Sequence, residues 1–448
     1  MKKFIFMGAI CFALTSNVFA GGYLTNTNQS INFLRNPSRD ASIGIDGVYF
    51  NPAGTAFFND GFHIQFNWQN VHQKRDALAN YGGLYNYNFN NIPENADGSR
   101  VFKGRVNVPI QPSLFAMYNV NSWSFQFGFG FIGGGGECEF ENGVGSFEAL
   151  VGSKGLSTLQ NAFGGYSLDS YVKGKSYDLG FTFNTAKRLN DKLSISLGVR
   201  AIYVTNNYVG HIRNMQYRML PTNTIIDANI NPALSDLELD CDQKGIGIAP
   251  IIGVDYKINK FINLATKFEF KTKLRVENDA NNNEAFNTLA SQTPAFNGYL
   301  DGVKTPVDMP ALFTIGVEIT PIDKLSLNIG YHRYFDVDTK QWTSDRLDDS
   351  NELTLGAEYR FNEIFEFSAG FQKTMYEQTD DNVSDMAFNL SSYSYGFGIG
   401  VRISPVIKLN VAYFQTIYDD YTKTVPNQSV TTYSRTNKVI GLGVDFSF

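Results

Sequence analysis

Residues Lys438–Phe448 read Lys-Val-Ile-Gly-Leu-Gly-Val-Asp-Phe-Ser-Phe. Large apolar side chains alternate here with small or polar ones, which is the period-two pattern of a β-strand with one apolar face. Such a strand suits a wall between lipid on one side and water on the other. Because an open strand edge is not viable in hydrocarbon, the pattern predicts a closed barrel whose other strands lie upstream.

Residues 1–20 have the pattern of an export signal. Two lysines precede the apolar run Phe4–Leu14, and Val18–Ala20 fits a small-residue cleavage site. We therefore interpret residues 1–20 as a signal peptide and expect the mature chain to begin at Gly21. An exported β-barrel of this kind is expected in the outer membrane of a Gram-negative cell.

The composition bounds the possible partners. The formal charge of −6 over 448 residues is mild and argues against nucleic acid as a partner. No linker or shift in composition divides the chain, so a single large β unit is expected. Two cysteines, Cys138 and Cys241, remain after the signal, and both fall in predicted loops. Their spacing leaves open whether they form a disulfide.

Residues 61–448 contain about fourteen alternating segments, of which the last is the one quoted above. Short and long connections alternate strictly between these segments, as in outer-membrane barrels with an even strand count. The sequence therefore predicts an all-β fold, a transmembrane antiparallel β-barrel of about 14 strands. A soluble β-sandwich or propeller is the alternative, but nothing in it would force long and short loops to alternate.

Residues 21–60 precede the first predicted strand and do not alternate. They hold several turn signals together with apolar side chains, and we predict a short helical turn near Ala41. A barrel of about fourteen strands has a lumen too wide to be filled from its wall. We therefore expect residues 21–60 to fold back into the lumen as a hatch, with a disordered tail as the alternative.

The stretch Ser42–Gly54 resembles the N-terminal hatch signature of the FadL/TodX family, most specifically in Asn51, Pro52, Ala53 and Gly54. These proteins are outer-membrane transporters for long-chain fatty acids and other hydrophobic compounds. The resemblance extends to strand number, loop order and the terminal Phe448. It implies that external loops three and four catch an apolar ligand, which moves to a deeper pocket and leaves sideways at a kink in strand three.

Two groups of residues match this implied path. Loops three and four correspond to residues 211–243 and 277–305, and Gly133, Gly134, Gly135 and Gly136 occupy the position of the kink. Consecutive glycines weaken a ladder and permit a bend, although an ordinary flexible strand end is the alternative. We expect the apolar loop residues to bind ligand, with packing against one another as the alternative. The candidates are Met215, Met219, Leu220, Phe286, Leu289 and Phe296.

Inward-facing cations form a further candidate site. The alternation places Arg200, Arg360, Arg402 and Lys408 on the lumenal face. One of them would receive a ligand carboxylate, as a fatty acid requires. The alternative is that all four form ion pairs with the wall or the hatch.

The sequence offers little support for a cofactor site, a metal site or a catalytic site. Gly128–Gly133 matches a dinucleotide fingerprint but lies in an alternating strand with no helix after it. The histidines lack ligand spacing, and no nucleophile motif is present, so we expect no metal, no cofactor and no enzyme activity. The expected function is passive, hatch-gated uptake of long-chain fatty acids or similar hydrophobic molecules. A general porin, or a receptor for another ligand such as a haem-like compound, is the alternative.

The expected partners follow from this function. They are a hydrophobic small molecule, the lipid bilayer and the outer-membrane insertion machinery. We expect the barrel to act as a monomer.

Overall fold

The computed structural model describes residues 29–91, 95–227, 235–293, 296–340, 348–380, 383–426 and 428–448. The expected signal peptide and residues 21–28 lie outside these ranges. Three helices are present in the described residues: α1 Ile31–Arg35, α2 Gly145–Leu159 and α3 Glu284–Gln292. None of the described helices is long and apolar enough to cross a membrane.

The strands of the described residues form one antiparallel sheet. They are β1 Gly61–Asn80, β2 Arg100–Val120, β3 Trp123–Phe140, β4 Phe163–Arg188, β5 Leu193–Met219, β6 Thr224–Asp227, β7 Leu237–Lys257, β8 Ile262–Glu269, β9 Arg275–Ala280, β10 Lys304–Pro306, β11 Ala311–Ile322, β12 Leu325–Phe335, β13 Ser350–Arg360, β14 Phe365–Met375, β15 Ser392–Arg402, β16 Ile407–Tyr418, β17 Tyr421–Val425 and β18 Ser429–Ser447.

The sheet closes on itself through its first and last strands. β1 pairs with β2 on one side and with β18 on the other, where His63 lies opposite Ser447. β8 and β9 are two parts of one interrupted wall strand, as are β10 and β11, while β6 and β17 only extend hairpins beyond the wall. The wall therefore has fourteen strands, and the predicted closed barrel is confirmed.

The wall is much taller on one side than the sequence indicated. β5 has 27 residues and β12 has 11, while about ten residues suffice to cross a bilayer. Several predicted loops are therefore wrong, because β1 runs on to Asn80, β5 to Met219 and β7 starts at Leu237. In these extensions both faces carry polar residues, so the apolar-polar alternation fades while the ladder continues.

The two faces of the wall differ as expected for a barrel in lipid. Along β1, Phe62, Phe66 and Trp68 point outward and are exposed, while every second residue from His63 to Gln69 points inward and is buried. Outward side chains elsewhere are equally apolar; Leu197 is 68 % exposed and Ile246 is 72 % exposed. Exposed side chains of this kind require a hydrocarbon surrounding.

Residues 29–60, here called the lumenal segment, lie inside the barrel. α1 begins because the Ser30 hydroxyl accepts a hydrogen bond from the Phe33 amide, as an N-cap does. Ala41 lies in a turn, so the helix forms upstream of the position that the sequence suggested. Inward polar side chains of the wall bind this segment; the Ile31 amide, for example, donates to Asn67 Oδ1 at 3.0 Å.

Candidate functional site

An apolar cavity lies on the side of the barrel that carries the long connections. It lies between α2, α3, β5, β7 and residues 384–386, and its empty space, open solvent included, is about 720 Å³. Three of the predicted loop residues, Phe286, Leu289 and Phe296, line it. Its remaining lining is mostly apolar, with His211 and Asp385 at its polar edge.

Helix α3 places the apolar loop residues at this cavity. The Asn283 side chain caps α3 by accepting from the Phe286 amide at 2.9 Å, which fixes the first turn. Phe286 then packs edge-on against Phe296, with their ring centroids 5.8 Å apart. These side chains therefore both pack against one another and line the cavity, so the two alternatives drawn from the sequence coexist.

A wider and more polar groove adjoins the cavity. Its empty space, open solvent included, is about 1710 Å³, and Leu289 lines both spaces. Lys154 lies at the groove, where burial lowers the pKa of its ammonium group. Met215 also lines it, but Met215 and Met219 lie in β5 and not in a loop as predicted. Neither Met219 nor the 44 %-exposed Leu220 lines these two spaces.

The four predicted cations occupy two different settings. Arg200 is buried and donates to Glu269 at 2.5 Å, and Lys408 Nζ lies 2.8 Å from Glu366. Arg360 and Arg402 are exposed end residues of β13 and β15, at the rim with the short turns. Arg200 and Lys408 thus have the ion pairs that the alternative predicted.

Sequence reasoning missed a cation next to Arg200. Lys267 is buried on β8, and its ammonium donates to the Tyr49 carbonyl at 2.8 Å. Arg200 and Lys267 lie 4.6 Å and 4.8 Å from the centroid of the Tyr49 ring. Lys267 belongs to the alternate residues of its strand that face the lumen, and this position was the signal in the sequence that could have found it. This pair binds the lumenal segment to the wall by cation–π contacts.

The motif Asn51–Gly54 is bound to several wall strands. Asn51 Nδ2 donates to Asp255 at 2.6 Å, and Asn51 Oδ1 accepts from the Gly54 amide at 3.0 Å. The carbonyl oxygens of the two residues between them accept from Gln126 Nε2 at 2.9 Å and from Ser194 Oγ at 2.7 Å. The motif therefore anchors the lumenal segment to the wall through both its main-chain carbonyls and the Asn51 side chain.

The glycine run lies at a break in the wall. The β2–β3 ladder stops at the pair Val106–Cys138 and resumes only at Leu114–Phe129. β3 stays paired with β4 through two register shifts, and Gly134 and Gly136 have φ of +83° and +78°. These left-handed values bend β3 away from β2 at little cost only because the residues are glycines.

The facing edge of β2 had a signal that sequence reasoning did not use. Pro109 and Pro112 lie in the stretch of β2 that has no register partner in β3, where a missing amide N–H costs no hydrogen bond to that strand. Pro112 remains opposite Trp68 of β1. Gln29 of the lumenal segment spans the break. Its carbonyl accepts from the Ser113 hydroxyl on β2, and its side-chain amide donates to the Phe131 carbonyl on β3.

Both cysteines are free thiols in the structure. Cys138 lies in β3 and Cys241 in β7, so their prediction as loop residues was wrong. Each is a small side chain in a paired strand, and Cys241 is buried.

Solved structures share this architecture, although no family model and no curated protein matches the sequence. Among solved structures, a FadL homologue of Pseudomonas aeruginosa matches 96 % of this chain and 100 % of its own, at 13 % identity and a TM-score of 0.67.

The protein has the FadL-type fold. The toluene transporter TbuX of Ralstonia pickettii shares this fold, at 18 % identity and a TM-score of 0.56, with 94 % of this chain and 98 % of that one covered. The toluene transporter TodX of Pseudomonas putida matches at 14 % identity and 0.59, covering 90 % and 94 %. The resemblance drawn from Asn51–Gly54 is thus confirmed in the fold.

Proposed function

We propose that this protein is an outer-membrane channel for the passive uptake of hydrophobic molecules, with long-chain fatty acids as the leading substrate class. The break between β2 and β3, spanned by Gln29, is the observation that carries this proposal. Two strands that are unpaired in a lipid-facing wall can separate, and such a gap would let an apolar solute leave sideways into the bilayer but would not serve a water-soluble one.

The proposed path begins at the external side. The polar groove leads to the apolar cavity, and Leu289 borders both. Deeper in the barrel, a continuous apolar cluster joins the lumenal segment to the wall and includes Val106, Val108 and Ile132 beside the break. An apolar solute would thus meet apolar side chains at each stage.

The lumenal segment would act as the hatch in this scheme. It is bound to several strands by buried hydrogen bonds, and within the described residues Gln29, at its described start, makes two bonds across the break. A ligand opens such a contact only if it binds the open state better than the closed one. Displacement of Gln29, with the anchor at Asn51–Gly54 unchanged, is the smallest movement that frees the break.

The test is a disulfide across the break. A Cβ built at Gly130 lies 3.4 Å from Ser113 Cβ, close to the separation that disulfides need. In a background without the two native cysteines, oxidised S113C/G130C should abolish fatty-acid uptake by cells that lack another channel. Reductant should restore uptake to at least the wild-type rate, because both substitutions also remove contacts of Gln29. The matched control is Y118C/F125C, which joins the same strands where their ladder is intact.

Unchanged uptake in the oxidised S113C/G130C variant would overturn the sideways exit. Conductance in planar bilayers separates the proposal from a general porin. A porin passes large ion currents, whereas a barrel filled by its lumenal segment should pass little. The structural neighbours are transport proteins and not enzymes, which also supports a channel without catalysis.

A further inference from the structure

Two arginines face each other across the seam that closes the barrel. Arg75 of β1 is the register partner of Arg435 of β18, and both have the inward phase of their strands. The β-carbons of such partners lie about 5 Å apart, and like charges directly opposite each other are destabilising. Because this pair of like charges destabilises the folded barrel, we expect it to have a function that offsets its cost.

Neither arginine has a counterion in the part of the chain that the structure describes, where no carboxylate oxygen lies within 4.0 Å of either guanidinium. Arg75 is only 8 % exposed, and the Nε–H groups of both arginines are buried without a hydrogen-bond partner there. Buried arginines are almost always paired, because an isolated buried charge is costly. The contrast with Arg200 and Lys408, each beside a glutamate, is direct.

Neighbouring carboxylates are engaged elsewhere. Asp76, the next residue of β1, points outward and forms an ion pair with Arg105. Asp385 accepts from the Tyr433 hydroxyl at 3.0 Å and from the Ser146 amide at 2.8 Å. The arginine pair thus keeps its full positive charge within this part of the lumen.

Aromatic rings hold both guanidinium groups in place. Arg75 Cζ lies 4.7 Å from the centroid of Phe388, and Arg435 Cζ lies 4.5 Å from that of Tyr418. The Cys138 thiol is a further, neutral neighbour of Arg75. Stacking uses the faces of a guanidinium and leaves its N–H edge free to donate to a planar, two-oxygen acceptor.

The pair borders the apolar lumen and the wall break. Arg75 lies opposite Gly104 in β2, and Val106, two residues further along, forms the last ladder pair before the break. Val71, Val106 and Val439 belong to the apolar cluster of the lumen. A head group at the arginines would leave an attached hydrocarbon chain among these valines and next to the exit.

We propose that Arg75 and Arg435 together form an anion site that receives the carboxylate of an amphiphile while its tail occupies the apolar lumen. This inference rests on the proposed function and narrows it, since it selects acids over neutral hydrocarbons. The ligand supplies the counterion that the barrel lacks at this seam. Each guanidinium donates along its free edge, which gives charge-assisted hydrogen bonds to both carboxylate oxygens.

The test compares two probes of equal chain length on the purified full-length protein, dodecanoate and dodecanol. Wild type should bind dodecanoate more tightly. R75Q and R435Q should each weaken dodecanoate binding about 10-fold and the double variant about 100-fold, with dodecanol unchanged. R75K/R435K should retain part of the preference, and K438Q, which removes an exposed cation of the same strand as Arg435, should have no effect.

Several results would overturn the proposal. These are unchanged dodecanoate affinity in R75Q/R435Q, equal losses for both probes, or displacement of dodecanoate by acetate at similar concentration, which would mean an adventitious ion only. Failure of wild type to bind either probe would remove the proposed function as well. Tight binding of both probes that ignores the arginines would remove this inference alone.

Discussion

His332 Nε2 lies 2.9 Å from both carboxylate oxygens of Asp40, so one imidazole of β12 binds the lumenal segment beside the hydrogen bonds that Asn328 makes to it. The other ring nitrogen, Nδ1, lies 2.9 Å from Glu352 Oε2. Both nitrogens of a histidine donate only when the ring is protonated. The buried imidazolium between two carboxylates thus links the hatch candidate to the wall.

Asp40→Asn should loosen this link. It leaves His332 and Glu352 as a buried pair without the third charge, and breaking such a network costs about 3 kcal/mol. We expect a lower thermal unfolding midpoint and a larger ion conductance in planar bilayers. Asp349→Asn is the matched control, because it breaks the ion pair of Arg333, the exposed neighbour of His332 in β12, and exposed ion pairs contribute little to stability. Equal effects of the two variants would contradict the role of Asp40.

Gln29→Ala should speed uptake, because it removes the side-chain hydrogen bond across the wall break. Gly130→Ala tests the same contact from the wall, since a methyl group there collides with the Gln29 side chain. Both variants should raise the initial rate of fatty-acid uptake several-fold without a change in expression. His72→Ala, which alters an exposed residue of β1 opposite Asn107 of β2, should leave the rate unchanged. Slower uptake in both test variants would show that Gln29 assists passage.

Leu289→Asp should weaken ligand capture, because it places a charge where the groove meets the apolar cavity. Losing apolar contact and burying a carboxylate beside the ligand should raise the apparent Kd about 10-fold. Asn287→Asp on the same helix adds the same charge at an exposed position and serves as the control. Tryptophan or probe fluorescence during titration with dodecanoate would measure both. Identical affinities would place capture elsewhere.

Asn51→Ala should destabilise the lumenal segment, because Asp255 is fully buried and loses its 2.6 Å partner. The expected cost is about 1–3 kcal/mol. Asn51→Ala combined with Asp255→Asn should recover part of that loss, since the residual group is then neutral. Unfolding in denaturant would measure the three variants. Additive losses in the double variant would show that the two residues are not coupled.

The strands that face lipid could be predicted from sequence because one physical demand acts on every second residue. Between Ile440 and Phe448 the outer face must be apolar and the inner face small or polar. Where the wall rises beyond the bilayer, as at the outer ends of β1 and β5, that demand ends and the prediction failed. Cys138, Cys241, Met215 and Met219 were assigned to loops for this reason.

The candidate site was predictable only in part. Gly133–Gly136 and Asn51–Gly54 could be recognised from their own residues, because a bend in a strand and a tight anchoring turn each need particular residue types. Pro109 and Pro112 carried a signal too, but its meaning depends on the strand they face. Lys267 and Arg75 show no local difference from any other inward cation.

The sequence by itself determined that this chain closes into a lipid-facing barrel, because alternation is a local record of which environment each face meets. Only the tertiary structure decided which inward charges are neutralised. Arg200 meets Glu269 across an intervening strand, while Arg75 meets Arg435 where the two ends of the sheet join. Such meetings depend on register and closure, which bring distant residues together by a geometry that no short stretch encodes.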